Sequence, residues 1–147
     1  MTAVFPRGRV RRYVLDANAL IGFFEDREGT AVKIEHLLEE ALRQDLPLLM
    51  SAVNWGEVFY MEWRYRGEVK AREAEARLQE LPVAVISVDK ERASRAGALK
   101  QKHGLGYADA FAAELAIERG ALLVTADPEF QKVGKTLPVY PLPRHEK

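Results

Sequence analysis

The chain has 147 residues, 48% of them hydrophobic, and its 22 basic and 22 acidic side chains cancel to a formal charge of zero. That is enough apolar material for one compact domain with its own core, and too little net charge for a disordered chain or a protein that coats nucleic acid through bulk charge. Cysteine is absent, which excludes disulfides, zinc–thiolate sites and thiol catalysis, and no apolar run approaches the roughly 20 residues of a membrane span. The arginine-bearing N-terminus is followed by no secretory apolar stretch, so a cytoplasmic location is expected.

Tyr13-Val14-Leu15 reads as a first strand, and a helix begins at Asn18 and runs to Phe24. Thr30 is placed to cap the next helix, where Ile34, Leu37, Leu38, Ala41 and Leu42 recur at helical spacing. Pro47 introduces the strand Leu48-Leu49-Met50, and Ser51 caps a long helix to about Tyr65 that Gly67 breaks. Residues 68–80 predict a surface helix with Glu68/Arg72 and Glu73/Arg77 at i,i+4 spacing. Pro82 opens the strand Val83–Ile86; Asp89 caps a helix to His103, Gly106–Arg119 forms another, and Gly120 closes it. Leu122-Leu123-Val124 is a fourth strand, a short helix restarts at Asp127-Pro128-Glu129, and residues 138–142 add a last short strand. Strands alternating with helices predict an α/β domain, a three-layer α/β/α sandwich around a mostly parallel sheet of four to five strands. One domain is expected over 1–147, frayed at 1–10 and 143–147.

Ligands of open parallel sheets bind beyond the carboxyl ends of the strands. Asp16 follows the first strand and Asp127 the fourth, so both carboxylates fall on that rim. Each can equally serve as a helix N-cap, Asp127 with proline at the first helical position. Glu57 has Val53, Tyr60 and Met61 at its i−4, i+3 and i+4 positions, taken as the sheet-facing side of its helix, and Asp109 has Leu105, Ala112 and Ala113. An acid on an apolar stripe either pairs with an arginine, binds a metal ion, or sits at a half-exposed edge of the stripe. If all four converge, they require a cation between them. Oxygen donors alone, with no cysteine and only scattered histidines, favour Mg²⁺ or Mn²⁺, which suit phosphoryl chemistry by activating water and clamping phosphate.

The segments Val14–Leu20 (VLDANAL), Ser51–Val58 (SAVNWGEV), Tyr107–Ala113 (YADAFAA) and Leu122–Phe130 (LLVTADPEF) resemble, in order and spacing, the four acidic motifs of PIN-domain nucleases. The resemblance spans about residues 12–142 and, given the length, is nearest to VapC-type toxins of toxin–antitoxin pairs. It implies a PIN-like fold and a Mg²⁺- or Mn²⁺-dependent endoribonuclease. Asp16, Glu57, Asp109 and Asp127 would be the catalytic, metal-binding quartet, supported by Asn18 and Thr125. The chain departs from the family at Ala17, where a hydroxyl residue is frequent, and at Ala126, where a polar or basic one is.

Charge is unevenly placed. Residues 1–12 carry four arginines and no acid, and residues 90–102 carry five bases against Glu91. Arg11, Arg12, Arg92, Arg95, Lys100 and Lys102 are therefore candidates for contacting an RNA backbone, or members of ordinary solvated faces. Trp55, Phe59 and Trp63 recur at i, i+4 and i+8 and are candidates for a partner interface, a homodimer contact or an antitoxin groove, as well as for core packing. The competing readings are a non-catalytic module binding RNA or protein with the acids as caps, an RNA-processing nuclease without an antitoxin, and a phosphotransfer domain using Asp16, which lacks the second acid of an Asp-x-Asp pair at Asn18.

Overall fold

A computed structural model describes residues 11–144. Arg7 and Arg9, and the expected fraying at 1–10 and 145–147, lie outside the described residues. The elements are β1 (Tyr13–Leu15), α1 (Ala17–Phe24), α2 (Thr30–Gln44), β2 (Leu48–Ser51), α3 (Ala52–Arg66), α4 (Glu68–Glu80), β3 (Val83–Ile86), α5 (Lys90–His103), α6 (Tyr107–Arg119), β4 (Leu122–Thr125), a 3-10 helix (Pro128–Val133) and β5 (Val139–Pro141). All five strands are parallel, in the order β3-β2-β1-β4-β5. The chain thus builds outward from β1 to β3 and then crosses to the other side of β1. The switch point falls between β1 and β4, where an open parallel sheet leaves a crevice at its carboxyl edge.

The edge strands β3 and β5 are only partly covered, while the three central strands β2, β1 and β4 are buried on both faces, as a parallel sheet covered by helices requires. Strand pleating divides them: Tyr13, Leu15, Leu48, Met50 and Val124 pack with α1, α2, α3 and α4, whereas Val14, Leu49 and Leu123 pack with α5 and α6. α6 runs deepest, with every residue from Ala110 to Ala116 buried, and its alanines let it lie close to the sheet.

Three expectations are corrected. α2 is capped by Gly29 at φ +80°, not by Thr30, which is the first helical residue and buried. The left-handed backbone favours glycine there, and a Cβ would also meet Pro143 Cγ at 2.9 Å. Pro143, expected to fray, therefore packs against the start of α2. On α3 the inward side is Asn54, Val58 and Glu62, while Gly56 and Tyr60 face outward. On α4, Glu68 pairs with Arg72 as expected at 3.6 Å, but Glu73 pairs with Lys70, and the Arg77 guanidinium lies 5.0 Å from the Phe24 ring centre.

Candidate metal centre at the sheet switch point

Asp16 leaves β1 with its backbone N–H still bonded to Val124 O (3.0 Å), so its side chain is held at the crevice between β1 and β4. It is 2% exposed. One carboxylate oxygen accepts from Ala17 N (2.9 Å), capping α1, and the other accepts from Asn18 Nδ2 (2.9 Å) and Thr125 Oγ1 (2.8 Å). Thr125 also accepts from Asp127 N (3.0 Å) and Asn18 Nδ2 (3.3 Å), and Asn18 Oδ1 accepts from Ala126 N (3.1 Å). One hydroxyl donor and two acceptor positions are thereby all used. The clasp ties the two strand ends together and fixes the Asp16 carboxylate. It also answers the departure at Ala17, since the hydroxyl missing after the first acid arrives across the sheet from Thr125.

Asp127 caps the 3-10 helix by accepting from Glu129 N (2.9 Å), with Pro128 behind it. Capping and placement at the rim thus coincide for both strand-end acids. Asp109 stands half-buried in the first turn of α6, and Glu57 half-buried on α3 with Oε1 buried and without a hydrogen-bond partner. Asn54, which sequence reasoning passed over, is fully buried beside them. It donates to Ala108 O (3.0 Å), fastening α3 to the start of α6, and its side chain favours the charged form of Glu57. Its signal was its place one turn before Glu57 on the buried side.

The acids repel one another. Asp16 is pushed up to about 7 by burial and then by the charges of Asp109 and Glu57, against the lowering effect of its hydrogen bonds. Asp109 is pushed up to about 6 by burial, then by Asp127, Glu57 and Glu129. Burial also raises Glu57. Among the described residues, no group of three or more His, Asp or Glu side chains stands in ready-made metal-holding geometry. The donor chemistry nonetheless fits a hard divalent cation: only oxygens, mutually destabilised charges, and one buried carboxylate oxygen left without a donor.

The other sequence candidates are dispersed. Arg11 and Arg12 precede β1 at the amino edge of the sheet, opposite the acids. Arg11 bonds the Tyr13 side chain, and the Arg12 carbonyl accepts from Leu122 N (3.0 Å). Arg92, 11% exposed, turns inward and donates to both oxygens of Glu114 (3.0 and 3.1 Å), a buried acid that sequence reasoning also missed. Glu114 lies on the same helix stripe as Ala110, the one position in that buried run where a charge breaks an apolar pattern. Arg95 donates to Glu114 as well (2.9 Å) while half its side chain stays exposed, Lys100 donates to Leu105 O (2.9 Å), and Lys102 is exposed. Trp55, Phe59 and Trp63 stack along α3 with ring centres 6.2 and 5.8 Å apart, and Arg72 of α4 covers Phe59 and Trp63. Trp55 packs against the core, while Trp63 remains 42% exposed.

The sequence model of the PIN domain family matches residues 13–136. No curated protein matches the chain in sequence. Among solved structures, DNA-bound VapBC from Salmonella typhimurium is similar at TM-score 0.69 and 18% identity, over 89% of this chain and 98% of that one. VapBC2 from Rickettsia felis, bound to a promoter DNA fragment, is similar at 0.68 and 18%, over 88% and 98%. VapC20 from Mycobacterium tuberculosis, described as a sarcin–ricin-loop-cleaving toxin, is similar at 0.63 and 17%, over 83% and 95%. These likenesses establish a shared fold. With the family match over residues 13–136 and the all-parallel sheet carrying acids at its switch point, the chain belongs to the PIN domain family.

Proposed function

We propose that this protein is a Mg²⁺- or Mn²⁺-dependent endoribonuclease and the toxin of a toxin–antitoxin pair. The observation that carries the reading is the gathering of buried and half-buried carboxylates at the switch point, where Asp16 and Asp109 are raised by burial and then by the charges of their acidic neighbours, which a cap-only role does not account for. Asp16, Asp109 and Asp127 would hold the ion with Glu57 at its edge. When bound, the cation supplies Lewis-acid stabilisation of the negative charge on the phosphodiester.

The chain's own residues do the rest. Asn18 and Thr125 lock the Asp16 carboxylate so that it needs no reorganisation to bind. Glu57, raised by burial and with a free acceptor oxygen, takes the proton of the attacking water. The expected test is cleavage of structured RNA with Mg²⁺ or Mn²⁺: activity present in the wild type, and lost in EDTA and in Asp16→Asn with the fold retained. Full cleavage by that variant ends the proposal.

An antitoxin partner is supported by the toxin–antitoxin complexes among the similar structures. Trp63, with exposed Tyr60, Tyr65 and Val69, supports a protein contact, antitoxin or homodimer, on the α3–α4 face. Among the described residues no helix is long and apolar enough to cross a membrane, and cytoplasmic action goes with this reading. The complete hydrogen-bonding of Asp16 favours one second reading, a non-catalytic module in which the acids only cap helices. It predicts no cleavage and no rise in melting temperature with Mn²⁺.

A further inference from the structure

Beside Asp127 lies a cavity of about 700 Å³ whose walls include Asn18, Arg27, Thr30 and Arg144. Arg27 is fixed on three sides. Its backbone N–H donates to Gly22 O (2.8 Å), its stem lies over Gly22, and Nη2 donates to Glu25 (3.0 Å). Nε is buried with no partner, while about a quarter of the side chain stays exposed, so the outer edge of the guanidinium is the part a ligand in the cavity can reach. Arg144 is exposed, and it also borders a second cavity of about 330 Å³ across the Asp127–Pro128 step. It therefore borders both cavities that Asp127 lines.

We infer that Arg27 and Arg144 bind the RNA phosphate next to the scissile one, seating the strand in the cavity beside Asp127. The inference rests on the nuclease reading and adds the direction in which substrate leaves the acids. The guanidinium fork matches phosphate oxygens, and a fixed Arg27 loses little freedom on binding them. The scissile phosphate must approach the acids, so its neighbour on the same strand falls against a wall of this crevice, and this is the wall that offers two guanidinium groups. α2 also starts here, with no acid in its first turn and no side-chain cap. Exposed Glu28 on the same wall opposes the phosphate, which provides a test of opposite sign.

The experiment measures binding of a fluorescein-labelled RNA hairpin by anisotropy in EDTA across a salt series, with cleavage kinetics in Mg²⁺ run beside it. Arg144→Gln and Arg27→Gln should each weaken binding by about three- to tenfold at 0.1 M salt and reduce the salt slope by about one phosphate's share. Arg27→Lys should restore the slope if Arg27→Gln disturbs packing, and Glu28→Gln should tighten binding. Arg43→Gln, on the far end of α2, is the control and should change neither. In Mg²⁺, Arg144→Gln should raise KM and leave kcat within about threefold. Unchanged slopes in both arginine variants, or an acidic peptide displacing nothing but itself bound through Arg27 and Arg144, overturn the inference while wild-type cleavage stands. A wild type that shows these binding effects and never cleaves overturns the nuclease reading, and with it the scissile neighbour, and leaves Arg27 and Arg144 only as an RNA-phosphate site.

Discussion

Replacing Asp16 with asparagine separates a strained ligand from a contented cap. Asp16 is 2% exposed and raised from 3.8 to about 7, by burial first and then by the Asp109 and Glu57 charges. A folded-state pKa above the unfolded one contributes stability that is fully present below about pH 4 and lost as pH rises through about 7. By pH 8 the ionised carboxylate costs the metal-free fold roughly 4 kcal/mol. Asparagine removes the charge but cannot satisfy all three donors, because an amide group must face Ala17 N–H or the Asn18 and Thr125 donors; this costs roughly 1–3 kcal/mol. The net expectation in EDTA at pH 8 is a gain of roughly 1–3 kcal/mol, or a melting temperature raised by about 3 °C per kcal/mol. At pH 4, where the wild-type group is protonated in the fold, the variant should instead be the less stable protein. Saturating Mn²⁺ should stabilise the wild type, by about 2.7 kcal/mol at a hundredfold excess over Kd, and leave the variant unmoved. Thermal denaturation at both pH values, with and without Mn²⁺, reads all four quantities. A variant that melts lower than wild type in EDTA at pH 8 would refute the reasoning, since the carboxylate would then be stabilising as a cap.

Other consequences are open to direct measurement. Glu57→Gln should lower RNA cleavage by about a hundredfold or more without lowering the melting temperature, because burial already disfavours its charge and the amide keeps an oxygen to face Asn54; circular dichroism melts beside cleavage rates decide it. Glu114→Ala should destabilise by about 3 kcal/mol, since it leaves the nearly buried Arg92 only its longer contact to Glu118 and frees Arg95, and denaturant titration should show a far smaller loss for Glu118→Ala at the exposed end of the same network. Thr125→Val should keep the β4 packing yet release Asp16, Asn18 and Asp127 N–H together, so Mn²⁺ affinity, followed by the thermal shift, should drop by about tenfold or more. Trp63→Glu should alter the oligomeric state or antitoxin binding in size-exclusion runs; an unchanged profile in both removes the α3–α4 face as a partner surface.

The elements were legible because their determinants are local. Ser51 caps α3 by accepting from Val53 N, Asp89 caps α5 by accepting from Arg92 N, and the glycines at 67, 104 and 120 stop helices where they stand. The rim position of Asp16 and Asp127 was legible for a related reason: a residue just past a parallel strand must lie on the carboxyl rim, whatever else it does. What failed needed three-dimensional neighbours. The inward side of α3 depends on where α1 and α6 pack, and a near-uniform scatter of polar and aromatic residues along that helix gives no dominant stripe to read. The fate of the basic segment 90–102 depends on Glu114, twenty-two positions beyond Arg92, and no local pattern announces that pairing. Nor could spacing show that Arg27 and Arg144, at nearly opposite ends of the chain, share a cavity wall.

The neutral charge takes its meaning from these placements. Seven acids and three bases lie between residues 25 and 45, yet Glu25 and Arg27 there are paired. On α5, both arginines among the RNA-contact candidates, Arg92 and Arg95, are bound to Glu114. Arg66, Arg92 and Arg95 are thus held by buried acids, while the four candidate ligand acids have no basic partner among the described ion pairs. A protein built in this way does not attract RNA by its overall field, and without a cation the switch point repels it. Binding should therefore depend on divalent ion more steeply than on monovalent salt. A titration of RNA affinity with Ca²⁺ at constant ionic strength should rise to a plateau in the wild type and stay flat in Asp16→Asn, whereas parallel rises in both would place the ion's effect outside the four acids.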